Sequence, residues 1–149
     1  MIRFRVLLAL AMLGLPSVMP AAAQPVPEGI HRPGQGHPNL CDASAETVAA
    51  LQAQLAARLP GLAGNERFVA YEDPQHMRVW TFTTAAHPAH PAVACRTVTE
   101  VNGSVQLGLQ LYCHSTRENC DSLYREFEEL NERVRRDLER AAGNASPTS

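Results

Sequence analysis

The chain has 149 residues and a formal net charge of −2, and all 13 of its basic residues are arginine. A mildly acidic balance argues against nucleic acid and anionic membrane surfaces as partners, since both select basic faces. The length suits one domain with a real hydrophobic core.

The first element reads as a cleavable secretory signal peptide over residues 1–23. Arg3 and Arg5 form a positive start, Val6 to Leu15 is an uncharged apolar run, and Ala21-Ala22-Ala23 offers a small-residue cleavage site. The apolar run is too short to span a bilayer, which needs about 20 residues. Cleavage after Ala23 leaves 126 residues and a charge of −4, with no anchor to hold the mature protein on a membrane. The expected destination is the periplasm or the medium, and the arginine and alanine bias fits a GC-rich bacterial genome. Residues 24–40 hold four Pro and three Gly without periodicity, and are expected to be a flexible arm.

A single domain is expected over 41–142. From Ala43 to Leu59, Val48, Leu51, Leu55 and Leu59 recur at three- and four-residue steps, the stripe of an amphipathic helix. Asp42 or Ser44 could cap its start, and Pro60-Gly61 would stop it. Residues 67–72 and 76–83 then alternate with period two around a type I turn at Asp73-Pro74. That register puts Phe68, Ala70, Met77 and Val79 on one face. It puts Val69, Tyr71, Arg78, Trp80 and Phe82 on the other.

A second hairpin spans Ala92–Glu100 and Ser104–Cys113. A two-residue Asn102-Gly103 turn would set Leu107, Leu109 and Leu111 beside Val98, Arg96 and Ala94. A three-residue turn with Gly103 in a bulge keeps Arg96 and Glu100 off the apolar face, and is the preferred expectation. Last, Cys120, Leu123, Phe127, Leu130, Val134, Leu138 and Ala141 mark a long helix from about Glu118 to Ala142. Glu129–Arg133 and Glu132–Arg136 pair on its solvated face. Residues 143–149 read as a disordered tail. The resulting expectation is an α+β fold, α-β-β-β-β-α: a four-stranded antiparallel meander with both helices on one face.

Four cysteines in an oxidising compartment read as two disulfides. Cys95 and Cys113 sit on neighbouring strands out of register, which disfavours a bond between them. Cys113 ends a strand and Cys120 begins the last helix on its buried side. The preferred pairing is therefore Cys41–Cys95 with Cys113–Cys120. No CxxC pair suggests zinc or thiol redox chemistry.

Two places could carry function. The open sheet face would show Tyr71, Arg78, Trp80, Phe82 and Arg96, and aromatics with arginine are what protein interfaces enrich. The loop His87-Pro88-Ala89-His90-Pro91, if polyproline-like, would point His87 and His90 the same way, toward copper or zinc. No nucleophile elbow, phosphate loop or HExxH motif is present, so neither catalysis nor a cofactor is implied. The stretch from Trp80 to Asn131 resembles small exported proteobacterial proteins of unknown function. The resemblance is carried by Trp80-Thr81-Phe82-Thr83, the His87–Pro91 loop, Cys95-Arg96 and the pattern of Cys113, Cys120 and Phe127. It implies an exported compartment and no activity. The sequence-based expectation is thus a non-catalytic periplasmic protein that binds a protein or small ligand through its aromatic and arginine face, with a His-loop metal site as the alternative.

Overall fold

Four long strands carry the fold, and they run antiparallel in chain order. They are β5 (Phe68–Asp73), β6 (Arg78–Thr83), β7 (Ala92–Val101) and β8 (Ser104–Cys113). The computed structural model describes residues 30–31 and 36–144. The expected signal peptide and residues 145–149 lie outside the described residues, as does most of the arm.

The α+β class holds, but the sheet is larger than the expected four strands. The two-residue strands β1 (Ile30–His31) and β4 (Gly61–Leu62) extend it to the order β1-β8-β7-β6-β5-β4. Part of the expected arm is therefore structured. Besides β1, Asn39–Leu40 (β2) pairs with Ala43–Ser44 (β3) in a separate hairpin, and Leu40 is fully buried. The hairpin turns at Cys41 (φ 45°) and Asp42 (φ 63°), both left-handed. This is the backbone of a two-residue primed turn, which matches the twist of its strands.

The hairpin displaces the first helix. α1 spans Val48–Ala56 instead of starting at Ala43, and Thr47, not Asp42 or Ser44, caps it by accepting the Ala50 N–H at 3.1 Å. Its stripe of Val48, Leu51 and Leu55 is buried as the periodicity required. Asp73-Pro74 opens one turn of 3-10 helix, Pro74–His76, closed by Met77 in the left-handed region. Both φ-fixed Pro and a single αL residue serve to reverse the chain here.

The β7–β8 turn corrects the preferred register. Val101 pairs with Ser104, so Asn102 (φ 52°) and Gly103 (φ 76°) form a two-residue turn without a bulge. Arg96 consequently pairs with Leu109 and lies on the apolar face that the three-residue turn was expected to spare. Both residues of a primed turn need positive φ, and Asn-Gly satisfies that so well that it outweighs one polar residue on a buried face.

α2 runs Arg117–Asn144, slightly longer than expected. It packs on the side opposite α1, which corrects the expectation of two helices on one face. One core joins Leu40, Val48, Leu51, Leu55, Trp80, Phe82, Val93 and Cys95 under α1 and the β2–β3 hairpin. The other joins Ala92, Ala94, Leu111, Leu123 and Phe127 under α2. Strand register divides these sets by parity: Trp80 faces Cys95 on one side, Thr81 faces Ala94 on the other. Both faces of the central strands are apolar because both are covered.

The two disulfides are Cys41–Cys95 and Cys113–Cys120, the pairing the sequence favours. The first ties the β2–β3 turn to the sheet, the second ties α2 to the end of β8. Two such bridges belong to an oxidising, secreted or periplasmic environment. No helix among the described residues is long and apolar enough to cross a membrane.

Candidate functional site

The expected aromatic face is not a surface. Trp80 is 1% exposed and Phe82 fully buried, and Tyr71 is half-buried with its ring edge-on to Phe82 at 6.0 Å. α1 covers these rings, and Gln52 Nε2 donates to the Tyr71 hydroxyl at 3.4 Å. Arg78 is on the same face but has a structural task. Its guanidinium donates to the Cys41 carbonyl at 2.6 Å and to Asp42 Oδ2 at 2.9 Å, gripping the left-handed turn. Arg96 is on the opposite side of the sheet, under α2.

The two histidines are also parted. The loop is not polyproline-like: the His87 N–H donates to Thr84 O and the His90 N–H to His87 O, so it coils through successive turns. His87 ends up buried and His90 exposed. The His90 ring meets the Thr83 carbonyl through Nδ1 at 2.9 Å. No cluster of three or more His, Cys, Asp or Glu suited to a metal occurs among the described residues. Pro88 O also accepts from Asn119 Nδ2 at 3.0 Å and from Ser115 Oγ at 3.1 Å, which docks the loop on the start of α2.

His87 belongs to a different group. Its ring packs 4.9 Å from Phe68, and its Nδ1 accepts the Ala89 N–H at 3.0 Å. Around its Nε2 sit Arg67 Nη2 at 2.8 Å and Glu126 Oε2 at 3.5 Å. A doubly protonated ring would turn its Nδ1–H toward the Ala89 N–H and its Nε2–H toward the Arg67 guanidinium, with the Glu126 carboxylate at 3.5 Å as an acceptor beside Nε2. Burial lowers the pKa from the usual 6.5, and the Arg67 charge and that of His90 add to this. The hydrogen bond and charge of Glu126 oppose it in part. The folded chain thus binds fewer protons than the unfolded one below 6.5. Stability contributed by the neutral ring is complete above that value and declines as acidification proceeds toward the folded pKa. The urea midpoint should fall as pH drops below 6.5, and this slope should be shallower in His87→Gln; equal slopes in both proteins would exclude the ring as its source.

Next to this group lies a cavity of 210 Å³ between α2 and the sheet. Phe68, Ala70, Phe127 and Leu130 make its apolar wall, and Arg96 and Arg133 line it with Glu126. The loop ahead of β5 closes one end. Asn65 Oδ1 accepts the N–H groups of Arg67 and Phe68, and Gly64 sits so near that a Cβ there would meet Phe68 O at 2.5 Å.

Arg96 is the unusual member. Its guanidinium lies 5.9 Å from the centre of the Phe127 ring, and burial lowers its pKa. Its Nε is buried without a hydrogen-bond partner, as is Oγ1 of Thr81 in the same wall. Among the described residues no carboxylate comes within 4.0 Å of either Arg96 or Arg133. Glu126 is already shared by Arg67 and His87. Glu129–Arg133, expected as an i,i+4 pair, is not formed. Arg133 is exposed, but Arg96 is half-buried, and a desolvated cation is normally paired, so this cavity presents a guanidinium without an anion of its own.

Sequence reasoning named Arg96 but placed it on the wrong face. It read Arg133 only as half of a solvated Glu129–Arg133 pair, and it missed Thr81 and the Arg67–Glu126 pair, whose residues come together from separate elements. Comparison with known proteins gives no family, no curated protein and no solved structure that matches this chain.

Proposed function

We propose that the protein is a non-catalytic binding module of an oxidising extracytoplasmic compartment, and that the cavity under α2 holds a small carboxylate with an apolar body. The observation that carries this reading is Arg96: a guanidinium without an acid partner, its Nε orphaned, against an apolar wall. The volume equals roughly seven waters at about 30 Å³ each, which suits a single ring or a short chain bearing one acid group. Phe127 and Phe68 would take the apolar body, Arg96 the carboxylate.

The test has two arms. Titration with small aromatic and aliphatic acids, followed by amide NMR shifts, should perturb the residues around Arg96 and Phe127. The matched neutral amides should bind at least about tenfold more weakly, the worth of one charge-assisted hydrogen bond. Arg96→Met should abolish the response. The same change should raise stability by about 1 kcal/mol in urea unfolding, because it replaces an unpaired, desolvated cation with an apolar group of similar length. An acid response that survives in Arg96→Met, or no response to any acid at millimolar concentration, refutes the reading. A drop in the urea midpoint of that variant would show that Arg96 is a packing residue instead.

A further inference from the structure

Independently of the cavity, β8 has an unusual outer edge. Its sequence from Ser104 to Cys113 contains no charged residue and no proline, and its pairing with β7 is continuous, without a bulge. These are the devices by which exposed edge strands avoid pairing with other chains, and all are missing here. Among the described residues only Leu111 and Tyr112 of this edge are paired, by the short parallel strand β1.

The stretch left unpaired among the described residues is self-complementary. Gln106-Leu107-Gly108-Leu109-Gln110 reads the same in both directions. We infer that a second copy of this chain pairs with it, β8 against β8 antiparallel, about a twofold axis at Gly108. Leu107 then faces Leu109 of the second copy, Gln106 faces its Gln110, and the two Gly108 residues meet on the axis. β1 bounds the five-residue ladder at each end by occupying Leu111.

The hydrogen-bond parity agrees. A two-residue hairpin closes on a bonded Val101–Ser104 pair, so alternation turns the backbone groups of Gln106, Gly108 and Gln110 toward β7. Those of Leu107 and Leu109 point outward. The proposed axis pairs Leu107 with Leu109 in both directions, so every outward group in the ladder has a partner. Gly108 falls in the closer, non-bonded pair. A side chain there is already opposed inside the monomer, where a Cβ would lie 2.4 Å from Thr97 Oγ1.

Side chains agree too. Leu107 and Leu109 border an open 650 Å³ groove between β8 and α2, with Tyr124, Glu129 and Arg133 on its helix side. The twofold sets the two α2 helices antiparallel on the same side of a continuous sheet. The unpaired Glu129 of one copy is then on offer to the unpaired Arg133 of the other. On the opposite side, Gln110 Oε1 accepts the Cys41 N–H at 2.8 Å, which leaves its amide N–H groups for Gln106 across the axis. Such an isologous interface closes at two copies.

Sedimentation of the full mature chain over a range of concentrations should give a monomer–dimer equilibrium. The amides of Leu107 and Leu109 should gain hydrogen-exchange protection as concentration rises. Leu107→Lys should weaken the dimer about tenfold or more, while Val105→Lys, outside the ladder, should leave it within about twofold. Far-UV circular dichroism checks that both variants keep the fold. A monomer at all concentrations overturns the proposal. So does a dimer in which the two amides stay unprotected, since another surface would then be in use. Protection that is already complete in the dilute monomer also overturns it, because residues of the same chain would then cover the edge.

Discussion

Trp80→Ala should cost about 3–5 kcal/mol, the usual range for truncating a large buried aromatic. Trp80 is 1% exposed and sits in the core between the sheet and α1, among Leu51, Leu55, Phe82 and Val93. Against a total stability of about 5–15 kcal/mol, a loss of that size removes a large share of the margin. The exposed aromatic face expected from sequence implies the reverse: changing Trp80 and Tyr71 to Ala would remove a binding partner and spare the fold. The two accounts separate cleanly in one experiment. Trp80 is the only tryptophan, so unfolding of the variant has to be followed by far-UV circular dichroism. With a urea slope of about 1–3 kcal/mol per molar, the midpoint should fall by at least about 1 M. Tyr71→Ala should cost less, since Tyr71 is only half-buried and its hydroxyl bond to Gln52 is long. A Trp80→Ala protein with an unchanged midpoint would put the ring back on the surface.

The two-sided burial behind this prediction is visible in the sequence, and it argues against the expected placement of both helices on one face. β5 and β6 carry apolar residues on both faces, which is the mark of a strand covered on both sides. A meander with both helices on one face leaves such a strand half in water, so the pattern argued against the arrangement expected of it. Period two correctly assigned Trp80, Phe82 and Tyr71 to one face, because alternation is a local property. Which helix covers which face is not local. It depends on how the chain leaves each sheet edge, and each helix has an apolar stripe that either face would bury.

Turn chemistry had the same lesson. Asn102-Gly103 is the strongest short hairpin signal, and the longer turn expected from sequence sets it aside to hide Arg96 from the core. The structure keeps the turn and accepts the arginine, and the arginine then lies in the cavity. A local rule and a polar residue in conflict therefore marked the candidate site. The β2–β3 hairpin had no such signal. Cys41 is a poor residue for positive φ, and what holds it there comes from far along the chain: Cys95 and Arg78. β1 and β4, at two residues each, are too short to have a period at all.

Removing the Cys41–Cys95 bridge should cost about 4 kcal/mol, and removing Cys113–Cys120 about 2 kcal/mol. Both figures follow from the loop-closure entropy that each bond takes from the unfolded chain. The bridged residues are 54 apart in the first case and 7 in the second. Native-state terms enter with both signs: strain released at the turn offsets part of the first cost, and loosened packing adds to it. Cys41 and Asp42 are both left-handed, a conformation that costs L-residues roughly 1–2 kcal/mol each. Three contacts hold them: the disulfide, the Arg78 grip on Cys41 O and Asp42, and Gln110 accepting the Cys41 N–H. Without the covalent one, the strained turn can relax, and Leu40, which the hairpin carries into the α1 core, loosens with it. Paired Cys→Ala variants are the right comparison, because Cys95, Cys113 and Cys120 are at most 1% exposed and a serine hydroxyl would be buried at each. In urea, followed by Trp80 emission, Cys41→Ala/Cys95→Ala should unfold well before Cys113→Ala/Cys120→Ala. The opposite order would mean that the short bridge at the α2 junction acts through the folded state, by seating α2 on β8, and that loop length does not set the ranking.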